Sequence, residues 1–484
     1  MKNRFNNIDS KEWLPFQKSW FRYKTDEELY RKSIRFFMKF DSEEMNRNFF
    51  FLGSNDQEKL AQNISIEEAA QLQSTSKVVK LDNIQFALLD LRELIKEIRN
   101  IESWNHFKRS ILELCFLLKD KLYHRRFLSI LIPNVATEDQ YFPFAWDFAK
   151  TLGLTFSLKD EKIACSTSST NNEKEMNQNG DQIFYQLFFR NDEKSANNKK
   201  QEEFRFGILE KQSSNNKEKK IARWFILKPK SRKRKEILHP AKFPEDLANI
   251  YLDNFTRKND VVFDPMCGTG TTLVSAIDKD RNAYGVELST FFASIARERC
   301  LRIYHAESNL FEKPQKRSTQ FEILIKDIRD LNKADIPQID YIFTSPPYWD
   351  MLNMKGAENQ AKRIKKGLQI NYTDPESELG KRDLGNIENY ETFLNELEKI
   401  YFHLYNFLQP GAVLTIVVKN IKKQGVNYPF AWDLAERLMK KLILLPENFW
   451  LQDDISIAPY GYGNTFVSNT FHQYCLSFQK PLKP

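Results

Sequence analysis

Residues 261–272 read VVFDPMCGTGTT. VVFDP is a short apolar run that ends on Asp264 and a proline, MCGTGTT is a glycine-rich turn, and the LVSAI at 273–277 is apolar enough for a buried helix. Strand, tight turn and helix in succession open a Rossmann-like α/β sheet. Gly268 and Gly270 give the turn its positive φ and let the backbone approach a bound group where a Cβ would collide. No lysine follows the second glycine, so the spacing is not that of a phosphate loop.

Downstream, further strand-like runs carry acids at their ends. NAYGVELS (282–289) reaches Glu287, in a place from which an acid pairs with ribose hydroxyls. FEILIKDI (321–328) ends near Asp327, positioned for an adenine ring. Asp264, at the first strand end beside Thr271 and the turn, is suited to accept from an ammonium group. That favours S-adenosylmethionine, with its cationic methionine end, over a pyrophosphate cofactor.

DYIFTSPPYWD (340–350) is the most specific element. Two prolines after a buried strand remove two N–H donors and stiffen the chain, leaving carbonyls as fixed acceptors. An amino group attached to an aromatic base needs such acceptors, because its lone pair is delocalised into the ring. Hydrogen bonds to Ser345 and to the Pro346 carbonyl would draw the nitrogen toward tetrahedral geometry, Pro347 would hold the turn, and Tyr348 would stack on the base. Stacking on an extrahelical base implies a duplex substrate with its target flipped out.

Upstream lies an internal repeat. YFPFAWDFAKTL (141–152) matches NYPFAWDLAERL (427–438), and the same offset holds without a gap back to residues 101 and 387, with 16 identities in 52 positions. Each copy reads as helix, buried strand and second helix opening near a proline. The first copy has no counterpart of the glycine-rich or proline-proline motifs, so it is a degenerate half-domain without the chemistry. Residues 1–75 are expected to be helical, with interleaved aromatic and basic side chains that either bury their rings in an amphipathic helix pair or stack on bases. Between 155 and 236, IFYQLFFR, EFRFGILE and ARWFILKP are expected strands, and the basic run KPKSRKRKE (228–236) marks a boundary. Three segments follow: 1–75, 76–236 with the half-repeat and linker, and a catalytic domain at 237–484.

The bulk numbers are compatible with this plan. A chain of 484 residues, 41% hydrophobic, is long enough for two cores. Its five cysteines are scattered without zinc-ligand spacing, so neither a disulfide scaffold nor a metal site is expected. The opening MKNRFNNIDSKEWL has no apolar signal region and no run of 18 apolar residues occurs, which predicts a cytoplasmic protein with no membrane span. The net charge of +8 favours a polyanionic partner.

DPMCGTGTT and TSPPYW resemble motifs of the S-adenosylmethionine-dependent DNA amino-methyltransferases, the N4-cytosine and N6-adenine family. HPAKFPEDLANIYLDNF (239–255) is similar to that family's cofactor-side helix, and LQPGAVLTIVVKN (408–420) and QYCLSFQK (473–480) to its later strands, so the resemblance covers roughly residues 237–480. It implies that Asp264, Gly268, Gly270 and Glu287 bind the cofactor with Phe243 near its methionine end, and that Ser345, Pro346, Pro347 and Tyr348 form the base pocket. The cofactor motif precedes the proline motif, as in part of the family, and Asn420 stands where an acid is usual. The expected fold is a Rossmann-like methyltransferase sheet preceded by a degenerate half-copy of itself. The expected reaction is direct methyl transfer to an exocyclic amino group of duplex DNA, preferably cytosine N4 because Ser345 stands where adenine enzymes usually carry Asp or Asn. Adenine N6, tRNA guanine N2 and a non-catalytic DNA-binding module are the alternatives. Trp349 and the basic cluster Lys362, Arg363, Lys365 and Lys366 are candidate DNA contacts, and a restriction endonuclease is a candidate partner.

Overall fold

The computed structural model describes residues 9, 14–38, 48–53, 83–166, 179–180, 182–192, 204–209, 221–228, 243–305, 319–349, 378–423, 425–453 and 470–482. Two sheets organise them. The first is built from β1 (Trp20–Arg22), β2 (Asn48–Leu52), β3 (Ile84–Asp90), β4 (Leu122–Ile132), β5 (Ser157–Ser166) and β6 (Gln182–Arg190), in the spatial order β1-β5-β6-β4-β3-β2. Its helices are α1 (Asp26–Phe37), α2 (Ile101–Lys121) and α3 (Phe144–Leu152). The second contains β7 (Trp224–Ile226), β8 (Val261–Asp264), β9 (Asn282–Glu287), β10 (Phe321–Ile325), β11 (Ile339–Thr344), β12 (Leu408–Val418), β13 (Asn448–Leu451) and β14 (His472–Gln479), in the order β10-β9-β8-β11-β12-β14-β13-β7. Short strands Asn179–Gly180 and Ile443–Leu444 pair with β7 and β14. The helices of this sheet are α4 (Glu245–Phe255), α5 (Thr271–Asp278), α6 (Thr290–His305), α7 (Tyr390–Leu404) and α8 (Phe430–Leu438).

The sheets share one wiring scheme. β2, β3 and β4 run parallel as β8, β11 and β12 do, β6 pairs antiparallel with β4 as β14 does with β12, and β1 lies parallel to β5 as β7 lies parallel to β13. Among the described residues the first sheet has no counterpart of β9 or β10, the strands that follow the glycine turn. The repeat visible in sequence over 52 positions is thus a half-fold reaching back to Trp20.

Local chemistry builds the copies alike. Every residue of β3 is buried, as expected of a parallel strand covered on two faces. Asn100 and Asn389 cap α2 and α7 by accepting from the N–H groups of Ser103 and Thr392. α3 and α8 open after Pro143 and Pro429 with no side-chain cap from the cap residue itself. Instead Asn134 and Asn420, just past the ends of β4 and β12, accept from the N–H groups of Ala145 and Ala431 at 2.9 and 2.8 Å. Helix ends left in a core need such partners.

Some expectations change. The stretch 1–75 was expected to be helical, but it supplies β1 and β2 on either side of α1, because a sheet edge takes up their backbone groups. Its aromatics Trp20, Tyr30, Phe36 and Phe37 are buried. EFRFGILE forms no strand over 204–209: it lies along α8, with Ile208 N–H donating to Met439 O and Phe204 against Trp146. Trp224–Ile226 joins the second sheet, so that sheet begins before the basic run, most of which lies outside the described residues. All five cysteines are free and buried. Among the described residues no helix is long and apolar enough to cross a membrane.

Candidate active site at the strand ends of the second sheet

The carboxyl ends of β8, β9 and β11 and the segment just after β10 border a cavity that is open to solvent. Open α/β sheets bind ligands at this edge, where neighbouring connections leave on opposite faces. Gly268, Val286, Glu287, Phe292, Asp327 and Ile328 form one side, Ser345, Pro346 and Pro347 another, and Arg382, Asp383 and Leu384 a third.

The turn after β8 works as its sequence suggests. Gly270 has φ 77°, and a Cβ there would stand 2.9 Å from the Ala296 Cβ, so only glycine lets α5 start this close to α6. Gly268 N–H donates to Glu287 at 2.7 Å, and Ser289 N–H donates to the other carboxylate oxygen at 2.9 Å. Burial pushes Glu287 up to about 7 against the pull of these two donors. Its remaining lone pairs border the cavity, and a ligand carrying adjacent hydroxyls or a positive charge satisfies a half-solvated acid of this kind. The mixture of acids with Val286, Phe292, Ile328 and Leu384 fits a nucleoside joined to a cationic chain. The Asp327 carboxylate, by contrast, is already held by Arg329, with Nε at 2.9 Å and Nη2 at 2.6 Å, and by Arg382 Nε at 2.9 Å.

Asp264 does not line the cavity. Its carboxylate accepts from Thr344 Oγ1 at 2.7 Å, Met266 N–H at 3.2 Å and Thr272 Oγ1 at 2.8 Å, which ties β8 to β11 and α5. Burial raises it to about 6, with the hydroxyl bonds opposing. The expected contact with an ammonium group gives way to a bracing role. Thr271 is buried at the start of α5, and Phe243 packs edge-on against Phe343 beneath the site; neither borders the cavity.

At the end of β11 the prolines change a backbone detail into a side-chain one. In the first half, Leu91 N–H donates to Leu131 O at 2.9 Å. Strand register places Pro346 where Leu91 stands, since Leu89 pairs with Ile130 as Thr344 pairs with Ile416. Proline has no N–H to give. The Ser345 hydroxyl takes its place, donating to Val417 O, the counterpart of Leu131 O, at 2.9 Å. With its proton so engaged, Ser345 Oγ offers lone pairs as a fixed acceptor. Tyr348 donates to Gln473 Oε1 at 2.9 Å and lies beneath the amine of Lys419, 4.9 Å from the ring centroid. Burial raises its phenol above the ordinary value.

The first half lacks this arrangement. Asp90, Leu91, Arg92 and Glu93 stand where Ser345, Pro346, Pro347 and Tyr348 do, and Asp90 is closed off by bonds from Arg92 and from the Tyr30 hydroxyl. Trp349, expected as a DNA contact, is buried against Tyr390 and Tyr428, donating to Glu388 O at 3.0 Å. Lys362, Arg363, Lys365 and Lys366 lie outside the described residues. The sequence reading missed Arg329, Arg382 and Lys419; only Arg329 carried a local signal, two residues past Asp327.

The sequence profile described as DNA methylase, N6 and N4, matches residues 7–298, more than half of the chain. The chain belongs to the N6/N4 DNA methylase family. The match runs over the first sheet and then the glycine turn, ending in α6, so this family member is recognised through its half-copy and cofactor strands ahead of TSPPYW. Similar curated proteins are the orphan methyltransferase M.BamHII of Bacillus amyloliquefaciens, 43% identical over 61 residues, and the type II methyltransferases M.SmaI of Serratia marcescens, 41% over 64, and M.BglI of Bacillus subtilis, 28% over 104. These alignments cover 13%, 13% and 19% of this chain and 23%, 22% and 30% of those proteins. The chain therefore spans less than a third of the length of these relatives. Solved structures similar to the family member include a SAM-dependent methyltransferase of Methanosarcina mazei (TM-score 0.28, 12% identity, 48% of this chain and 98% of that one) and an rRNA methylase of Streptococcus thermophilus (TM-score 0.28, 8%, 50% and 99%).

Proposed function

We propose that this member of the DNA methylase family transfers a methyl group from S-adenosylmethionine to an exocyclic amino group of a DNA base, with cytosine N4 as the acceptor. The observation that carries the reading is the Ser345 hydroxyl, committed as a donor to Val417 O and so available as an acceptor, at the edge of the cavity that Glu287 borders.

Bound S-adenosylmethionine would supply an electrophilic methyl on a cationic sulfur. Glu287 holds the ribose hydroxyls, and the apolar wall of Val286, Phe292 and Ile328 flanks the adenine. Ser345 Oγ and the Pro346 carbonyl accept the two N–H bonds of the target amino group, which turns its lone pair out of the ring plane and toward the methyl. Tyr348 supports the extruded base by stacking. No thiol nucleophile is used, since amino nitrogen attacks directly. Ser at 345, in place of the Asp or Asn usual in adenine enzymes, favours cytosine.

The test is nucleoside mass spectrometry of unmethylated DNA incubated with purified protein and the cofactor. N4-methylcytosine is expected. N6-methyladenine would replace the base assignment with the adenine alternative. Methylation of tRNA with none of DNA, or cofactor binding with no transfer at all, would overturn the reading.

A further inference from the structure

The two halves sort residues by purpose, because they share a scaffold and only one carries the site. Positions serving the scaffold are the same in the two copies: Asn134 and Asn420 cap equivalent helices, and Trp146 and Trp432 fill the seam between the sheets. Positions around the proline motif differ, as Ser345, which borders the cavity, differs from Asp90, and Tyr348, which like Lys419 is outside its lining, differs from Glu93. Lys419 falls in the second group. Its counterpart is Pro133, directly before the shared Asn134, so the exchange occurs at a position where the backbone on either side is retained.

The environment of Lys419 has no scaffold explanation either. The residue is half-buried just past the end of β12, its amine 4.9 Å from the Tyr348 ring centroid. No carboxylate is paired with it among the described residues, and burial alone lowers its pKa. A cation held out of water without a counter-charge costs free energy unless a partner arrives. The ring of Tyr348 offsets part of this cost. An incoming nucleotide can supply the rest.

We propose that Lys419 is a substrate-binding residue whose ammonium donates to an acceptor on the target nucleotide held at Tyr348, either a carbonyl oxygen or ring nitrogen of the base or an oxygen of its phosphate. The proposal rests on DNA methyl transfer as the reaction.

The test compares full-length wild type, Lys419→Met and Lys419→Arg, reading cofactor affinity by calorimetry, melting temperature, and KM and kcat for DNA by transfer of labelled methyl at several salt concentrations. The Met variant should lose roughly 10- to 100-fold in kcat/KM for DNA, as for removal of a charged hydrogen bond, with cofactor affinity unchanged and the melting temperature equal to wild type or higher, because an uncompensated charge has been removed. The Arg variant should recover part of the loss. A phosphate partner lowers the slope of log KM against log salt by about 0.9 in the Met variant, whereas a base partner leaves the slope alone. An unchanged kcat/KM in the Met variant, or a loss matched by weaker cofactor binding and a lower melting temperature, overturns the proposal. Wild-type protein that methylates no DNA defeats the proposed reaction itself, a separate result.

Discussion

Trp146 and Trp432 lie stacked across the seam between the two sheets, ring centroids 6.4 Å apart and planes 14° from parallel. They are the same residue of the two copies, and the polar groups around them are exchanged in the same reciprocal way. Asn420 Nδ2 donates to Glu161 at 2.8 Å and Asn134 Nδ2 to Glu447 at 3.2 Å, while Tyr474 and Tyr185 donate to the same acids at 2.8 and 2.9 Å. Each tyrosine in turn accepts from its own half's tryptophan, at 3.0 and 2.9 Å. The half-copy is therefore seated on the working half by a pseudo-twofold interface whose buried acids each accept from the other side, Glu447 pairing as well with Arg223 beside its own sheet, at 3.1 Å.

This explains why Asn420 stands where an acid is usual in the family. Asn420→Asp would set a second carboxylate against Glu161 and lose a donor, and Asn420→Ala would leave the Ala431 N–H and Glu161 short of a partner. Urea unfolding should show a loss of about 1–3 kcal/mol for the Ala variant. The Asp variant should lose more at pH 8 than at pH 5, since two adjacent carboxylates favour the protonated state. Equal stability of all three proteins would remove the asparagine from the seam's energetics.

Asp264 braces the site from below, so Asp264→Ala should weaken cofactor binding and lower stability together, leaving the Thr344 hydroxyl and the Met266 N–H without their acceptor, whereas Thr272 Oγ1 still reaches Phe343 O at 3.0 Å. The unmet groups cost about 1–3 kcal/mol each. Its pH behaviour follows from the upward shift: the carboxyl is raised from 3.8 to about 6 in the fold, so the folded state binds more protons and its stability contribution is lost as pH rises through about 6. Measured from pH 4 to 7, the stability of Asp264→Asn relative to wild type should rise. A variant that binds cofactor poorly at unchanged stability would instead make Asp264 a direct ligand.

Glu287 gives the cofactor site a titration near neutrality. Burial raises it to about 7, and a ligand donating hydroxyls prefers the ionised form. Affinity for S-adenosylmethionine should therefore tighten between pH 6 and 8, by up to about tenfold per unit below 7, because one proton is released on binding. Glu287→Gln should bind more weakly and lose this dependence. Calorimetry at three pH values decides it, and a pH-independent wild-type affinity would contradict the assignment.

Tyr348→Ala should leave cofactor affinity near wild type and depress methyl transfer, since stacking on a base contributes about 1–3 kcal/mol. Tyr348→Phe keeps the ring and loses the hydroxyl's bond to Gln473 and its interaction with Ser345, so most of the activity should survive if stacking is the role. Transfer rates on DNA with the two variants are the measurement. Comparable loss in both would shift the role from the ring to the hydroxyl.

What the sequence determined by itself is what neighbouring residues encode together. Gly268 and Gly270 announce a turn because backbone conformation is a local property, Pro346 and Pro347 remove donors wherever they stand, and the PFAWD repeat exposes the duplication at one constant offset. What only the tertiary structure decided are relations between distant residues. Asp264 reads as a ligand until Thr344, 80 residues away, is found to occupy its carboxylate. Trp349 follows the proline motif as though it faced DNA, yet Tyr390 and Tyr428 bury it. Glu161 meets Tyr474 across 313 residues, and Lys419 meets Tyr348 only because β12 lies beside β11. A buried charge or hydroxyl takes whichever partner the packed elements bring within about 3 Å, and no sequence pattern within one strand or helix records that distance.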